Sequence, residues 1–439
     1  MSLPPPSMNS PGVTDQLDSG ATATPAKELP PVRVVAAESI EENVVVVDER
    51  GWLRRLHARS GVVWETAFGI VSLVFFLAVL ATIPVLNLLS LGYLLEVSGR
   101  VARTGRWRDG LIGTRKAAKA GSLVLGTWLM ILPLRFLSAV WADAQLIAPA
   151  SDRTAGLQVA LITCTVLMVG HILCAWYHGG RLRDFFWPVT WPVLLLLALL
   201  RGERVANWLP PIRLAADVLR WRWYGTARDA VWNYVNGLRL PHYFWLGARG
   251  FAGAISWLFI PTLLLIGATA LPKDGPAIAV GLLGAPLLAV VLLYLPFLQT
   301  HFAAENRFLA MFELGTVRRQ FTRAPLAYWL ALFATLLFAI PLYLFKIEFL
   351  PQEVTALPSL VFVVFIWPAR WITGWAVGRA RHRDQPRFFL SRWAARLAAI
   401  PVVAIFVLIV FISRYVLWYG AWSLFEQHAF LVPAPFLGQ

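Results

Sequence analysis

A chain of 439 residues that is 58% hydrophobic and 14% charged carries more apolar surface than a soluble domain of this length can cover. Its mean hydropathy is +0.63, and its apolar runs are long enough to cross the roughly 30 Å hydrocarbon core as helices; they are continuous rather than alternating, which argues against a β-barrel. The net charge of +15 sits in short segments between those runs, so it reads as topology-setting charge beside a membrane, and no groove-reading motif accompanies it to suggest nucleic acid.

Residues 1–48 are rich in Pro, Ser, Thr, Ala and Glu and lack a basic stretch followed by an apolar one, the pattern of a disordered tail rather than a signal peptide. The apolar stretch 62–99, interrupted by Glu65 and Glu96, is too long for one span. Pro84 breaks it, and Asn87 can satisfy a freed backbone group, so a helical hairpin is expected, either spanning or re-entrant. Further spans are expected near 120–141, 156–178, 245–270, 277–299, 326–346, 358–378 and 397–419. The stretch 185–200 has two prolines and basic flanks, which suits an interfacial or re-entrant segment. The Trp, Tyr and Arg mixture that follows, to 244, reads as amphipathic helix in the headgroup layer. The expected organisation is therefore a tail (1–48), a first membrane half (49–184), an interfacial linker (185–244), a second membrane half (245–424) and a C-terminal tail (425–439).

Basic residues number seven in 99–120, ten in 179–249, four in 301–325 and six in 378–396, against one each in 142–155, 271–276 and 346–357. By the positive-inside rule the first group is cytoplasmic, which places the N-terminus inside and the C-terminus outside. A weak internal repeat is also visible. "IPVLNLLSLGYLLEVSGRVARTG" and "LPFLQTHFAAENRFLAMFELGTVRRQ" each lead through a basic segment into a span with an internal proline, Pro133 and Pro341, about 200 residues apart.

The pattern of Pro84, Asn87, Gly92 and Tyr93, followed by a basic turn and a proline-bearing span, resembles a family of prokaryotic multi-pass membrane proteins classed only as a domain of unknown function. The stretch "ENRFLAMFELGTVRRQFTRAPLAYWLALF" is similar to that family's later half. The resemblance implies an integral membrane protein and supplies no activity, ligand or catalytic residue; the expected location is the bacterial inner membrane.

Candidate residues come from side chains that are costly inside a bilayer. Arg135, His171 and Arg370 are the ionisable groups within spans and are the candidate substrate-binding residues. Glu96 sits four residues from Arg100, the spacing of an intrahelical pair. Arg135 can pair with Asp143 or reach the interface, and Arg370 can reach a carbonyl freed by Pro368, reach the interface, or hold an anion. The spacing of His171, Cys174 and His178 on one helix face can share a metal if a second helix contributes, with His301 or Glu305 at a suitable level. The alternative reading is ordinary packing and helix–helix hydrogen bonding. Cys164 and Cys174, ten residues apart on one helix, lie about 15 Å apart at 1.5 Å per residue and cannot bridge each other. Prolines in corresponding spans are a pointer to a transport site, although proline is frequent in membrane helices anyway.

No hydrolase, P-loop or metalloprotease motif is present, and Asp109 in "RDGLIG" stands alone where metal-dependent head-group transfer needs several carboxylates. The expectation is an all-α polytopic bundle of eight or nine spanning or re-entrant segments, without cofactor or enzymatic activity. It would serve as a scaffold, assembly or accessory component, with the bilayer, anionic lipid headgroups at its Arg-rich loops and another membrane protein as partners. The alternative is a carrier for a small anionic or amphipathic solute or lipid, with Arg135 and Arg370 facing a central cavity. A membrane-embedded enzyme is the third reading.

Overall fold

The computed structural model describes residues 49–200, 210–272, 275–345, 356–415, 420–427 and 429–431. The tail expected over 1–48 lies outside the described residues, as do 201–209 of the linker, 346–355, the 416–419 end expected for the last span, and 432–439. By internal contacts the chain divides between Arg55 and Leu56, and the larger unit begins at Leu56.

The described residues form helices and turns with no strand. In chain order the helices are α1 (Glu49–Thr82), α2 (Asn87–Thr104), α3 (Thr114–Ile147), α4 (Asp152–His178), α5 (Leu182–Phe185), α6 (Trp187–Leu200) and α7 (Pro210–Leu219). There follow α8 (Trp223–Gly237), α9 (Leu240–Ala270), α10 (Gly275–Glu305), α11 (Leu314–Arg323), α12 (Pro325–Phe345), α13 (Ala356–Arg381) and α14 (Phe389–Ser413). Among the described residues, eight helical stretches are long and apolar enough to cross a membrane, which makes the protein a multi-pass helical membrane protein. The last span starts at Phe389, eight residues before its expected start, because the basic residues Arg392 and Arg396 fit at the end of a helix whose apolar part follows. The prolines do not break the spans: Pro133, Pro261, Pro286, Pro341 and Pro368 all lie inside continuous helices. Each removes one backbone hydrogen bond, a loss that a long helix packed against neighbours absorbs.

The helix break expected near Pro84 is present. α1 ends at Thr82, Val85 takes a left-handed conformation (φ 71°), and α2 starts at Asn87. Asn87 does not cap the turn as expected, since its amide is buried with neither atom hydrogen-bonded. α2 is the centre of the bundle. Every residue from Ser90 to Gly99 is buried, packed against α9, α10 and α13. Small residues permit this approach, as expected where lipid gives helices no hydrophobic reason to associate. A Cβ on Gly99 would lie 2.6 Å from Ala303 O of α10, and one on Gly374 of α13 would lie 2.6 Å from Ser98 O. α2, α10 and α13 run parallel, so their C-terminal ends meet at one side of the bundle, here termed the basic end.

The repeat seen faintly in the sequence is clear in the backbone. α2 ends at Gly105 (φ 69°) and α10 at Asn306 (φ 53°), two residue types that tolerate the left-handed region. Arg106 (φ −109°, ψ 124°) and Arg307 (φ −115°, ψ 127°) follow in extended conformation. A single 3₁₀ turn comes next, Trp107–Gly110 in one half and Phe308–Phe312 in the other. Each turn closes on a residue of matching dihedrals, Leu111 (−80°, 66°) and Glu313 (−80°, 62°). The chain therefore folds back into the bundle twice in the same way. The halves differ beyond that point: α12 and α13 join the core, whereas α3 and α4 pack on each other and on α5 and α7, with long apolar faces exposed.

The 185–200 stretch forms α6, which at 14 residues spans only about 21 Å and falls short of a bilayer core. The turn after α7 carries exposed Trp221, and α8 carries exposed Trp223, Tyr224 and Trp232, the aromatic display of an interfacial segment. Residues 420–427 and 429–431, the described part of the tail and the end of the second half, pack into the bundle, with Ser423, Leu424, Gln427 and Ala429–Leu431 buried.

Candidate functional site

The helix ends gathered at the basic end carry charges that pair across the bundle. Glu96 accepts from Arg103 Nη2 at 2.8 Å, with Arg100 Nε at 3.5 Å and His242 Nε2 of α9 at 3.5 Å. The i,i+4 pair read from the sequence is thus one edge of a larger cluster. Arg103 Nη1 also donates to Ala303 O at 2.9 Å, so a cation from α2 satisfies a terminal carbonyl of α10. In the second half, Arg381 Nη2 donates to Glu305 Oε1 at 2.8 Å and to His301 Nδ1 at 2.9 Å. That leaves Nε2 as the protonated nitrogen of His301, donating to Glu313 Oε2 at 3.0 Å. The hydrogen bond from His301, supported by the charge of Arg307, holds the Glu313 carboxyl below the usual carboxylate range. Glu96, Glu305 and Glu313 are thus each engaged by arginine or histidine, which latches the helix ends together.

Beside the first cluster lies a cleft of about 660 Å³ bounded by α1, α2, α3, α8 and α9. Its walls are apolar: Leu73, Phe76, Leu77 and Leu80 come from α1, Leu89 from α2, and Ala117 and Ala120 from α3. Its cations, Arg100, Lys116 and Arg239, lie at the basic end. From Leu89 to Arg100 the cleft follows α2 for about 16 Å at 1.5 Å per residue. Three tyrosines complete it. Tyr93 OH donates to Ile112 O at 2.9 Å, Tyr234 OH donates to Lys116 O at 3.0 Å, and Tyr243 packs edge-on against Tyr93. The Lys116 ammonium itself donates to Gly237 O. Arg239 is exposed and holds a left-handed backbone (φ 52°) at the start of α9. A larger cleft of about 800 Å³ between α9, α10 and α14 has one cation, Arg414, already stacked on Phe411 and Tyr415. Of these two clefts, the smaller is the one with three cations in its lining.

The residues singled out from the sequence fall elsewhere and apart from one another. Arg135 is exposed on α3, and no ion pair joins it to Asp143 among the described residues. His171 Nε2 donates to Phe185 O at 2.6 Å and packs on Trp187, tying α4 to the start of α6. His178 Nδ1 approaches Asp184 Oδ1 at 3.1 Å, both buried. Cys164 is exposed and Cys174 is half-buried, both as free thiols. Among the described residues no group of three His, Cys, Asp or Glu side chains is placed to hold a metal. His301 and Glu305, the second-helix ligands considered from the sequence, are engaged with Glu313 and Arg381 instead. Arg370 neither reaches the interface nor bonds the carbonyl freed by Pro368. It is 2% exposed, and its Nη2 donates to Ala429 O of the C-terminal segment at 3.3 Å.

The cleft had no signal in the sequence, because Arg100 on α2, Lys116 on α3 and Arg239 in the turn before α9 lie up to 139 residues apart, and each alone reads as loop charge. Fold and site together define a multi-pass helical membrane protein with an amphipathic cleft at its basic end. No family model matches the chain, no curated protein is similar to it, and no solved structure matches its fold. The resemblance around Pro84, Asn87, Gly92 and Tyr93 accordingly brings no activity to it.

Proposed function

We propose that this protein is a non-enzymatic scaffold or accessory component of a bacterial inner membrane, with its basic end in the cytoplasm, and that it holds an anionic phospholipid in the α1–α2–α3 cleft. The observation that carries the reading is the segregation of the cleft: aliphatic and aromatic walls along about 16 Å, and three cations grouped at one end. Acyl chains gain little by leaving a bilayer for an equally apolar wall, so selectivity rests on the headgroup. Each Lys or Arg near the surface attracts an anionic lipid by about 1 kcal/mol. The positive-inside distribution supports the orientation, and the engagement of Glu96, Glu305 and Glu313 by arginine and histidine supports a non-catalytic role. The test is lipid analysis of protein purified in mild detergent. Anionic phospholipid retained through washes that strip zwitterionic lipid is the expected result; a bulk-membrane lipid ratio would refute it.

A second reading, a carrier for a small anionic solute, is favoured by a different observation, the buried guanidinium of Arg370.

A further inference from the structure

Arg370 is a charge without a counter-charge. Beyond the single bond from Nη2 to Ala429 O, its Nε and Nη1 have no partner, and among the described residues no carboxylate pairs with it. A guanidinium buried within membrane-spanning helices is costly and is retained where something compensates it. Two neutral side chains of the same region are also incompletely satisfied. Gln299 of α10 donates from Nε2 to Phe430 O at 3.0 Å, while its Oε1 is buried and unbonded. Gln427 Oε1 is in the same state.

Register places these groups together. Gly374 meets Ser98 and Gly99 meets Ala303. Arg370, one turn before Gly374, and Gln299, one turn before Ala303, are thus level with each other near residues 94–95 of α2. Both hydrogen-bond to consecutive residues, Ala429 and Phe430. The unsatisfied polar groups continue along α2 away from the basic end, at Ser90 one turn further and Asn87 two turns further, both fully buried. Buried polar atoms without partners are rare in a packed bundle and call for water or a ligand. α14 ends at Ser413, at the side opposite the basic end, and the described residues 420–427 and 429–431 reach one turn from the Gly99 crossing.

We propose that the space between α2, α10 and α13 is a closed path for a small anion, with Arg370 its coordinating cation and the C-terminal segment its plug. Phe430 and Ala429 occupy the position the anion takes when the plug withdraws, and their carbonyls substitute weakly for it. The backbone repeat supports this placement, since parallel repeats put a solute site at the interface between halves near the bilayer middle, and α2 and α10 form that interface here. The site is distinct from the lipid cleft, whose lining excludes Arg370, Gln299 and the C-terminal segment, so either reading can fail alone.

The test is chloride efflux from liposomes containing the full chain, with potassium and valinomycin to cancel the potential. Wild-type protein is expected to leak slowly. Gln299→Leu with Phe430→Gly, which removes the plug's bond and its largest side chain, is expected to raise chloride efflux at least tenfold. Adding Arg370→Gln should return it to the wild-type rate, and Arg370→Lys should preserve part of the gain. Efflux that stays at the rate of empty liposomes while the variant remains monodisperse overturns the proposal. So does a rise of sodium efflux equal to that of chloride, or a rise that survives Arg370→Gln. If the paired change prevents folding, Gln299→Asn, which shortens the side chain by one methylene, should raise chloride efflux two- to fivefold; no rise overturns the proposal equally.

Discussion

Replacing Arg100, Lys116 and Arg239 together by glutamine tests the lipid cleft directly. Three cations at about 1 kcal/mol each give an upper bound of about 3 kcal/mol, roughly a hundredfold preference for an anionic over a zwitterionic headgroup. The bound is not reached, because Lys116 already donates to Gly237 O and Arg100 is 3.5 Å from Glu96. Arg239 has no such partner among the described residues and should contribute the most. Arg239→Gln alone should therefore cost about fivefold, near 1 kcal/mol, and the triple variant ten- to a hundredfold. The assay is competition between phosphatidylglycerol and phosphatidylcholine for protein in nanodiscs, read by native mass spectrometry at two ionic strengths. The preference should shrink as salt rises, since the charges lie at the surface end of the cleft. Glycerol 3-phosphate, which has the charge without the chains, should compete poorly. A triple variant that keeps the wild-type preference, or a preference indifferent to salt, would show that the cleft is only a gap between helices.

Three further outcomes are expected. Gly99→Ala places a methyl 2.6 Å from Ala303 O and should lower the melting temperature in detergent through about 1–3 kcal/mol of overpacking, whereas Gly156→Ala, with nothing within 4 Å, should leave it unchanged or raised; equal effects would deny α2 its central role. Because the carboxyl of Glu313 titrates below its unfolded value, its stabilising contribution is fully present above the ordinary glutamate range and is lost as pH falls through that range and below it. Melting between pH 7 and pH 4 should accordingly fall less steeply for Glu313→Gln than for wild type, and parallel curves would remove the His301–Glu313 latch from the account. Cysteines placed at Arg115 and Arg319 should be shielded from an impermeant thiol reagent in intact cells while one at Ser151 reacts, and the reverse pattern would invert the proposed orientation.

Composition and run length determined the class of this protein, because burying polar backbone in hydrocarbon leaves long apolar helices as the economical solution. The helix break at Pro84, the Glu96–Arg100 pair and the two-fold recurrence of a basic segment after α2 and α10 were also legible, since each depends on neighbours within a few turns. Span ends were less so: α14 begins at Phe389 because arginine stems can lie along a helix end, a choice made by packing rather than by hydropathy. Only the tertiary structure decided which ionisable residues share a site. His171, Cys174 and His178 look like ligands on one helix, yet the carbonyl of Phe185 and the carboxylate of Asp184 claim both histidines. Arg135 and Arg370 look alike in sequence, and one is exposed while the other is sealed beneath a segment that reads as a plain tail. Local spacing determines what a helix face carries. Which face meets lipid, which meets another helix and which meets the returning chain is a matter of three-dimensional packing among segments hundreds of residues apart.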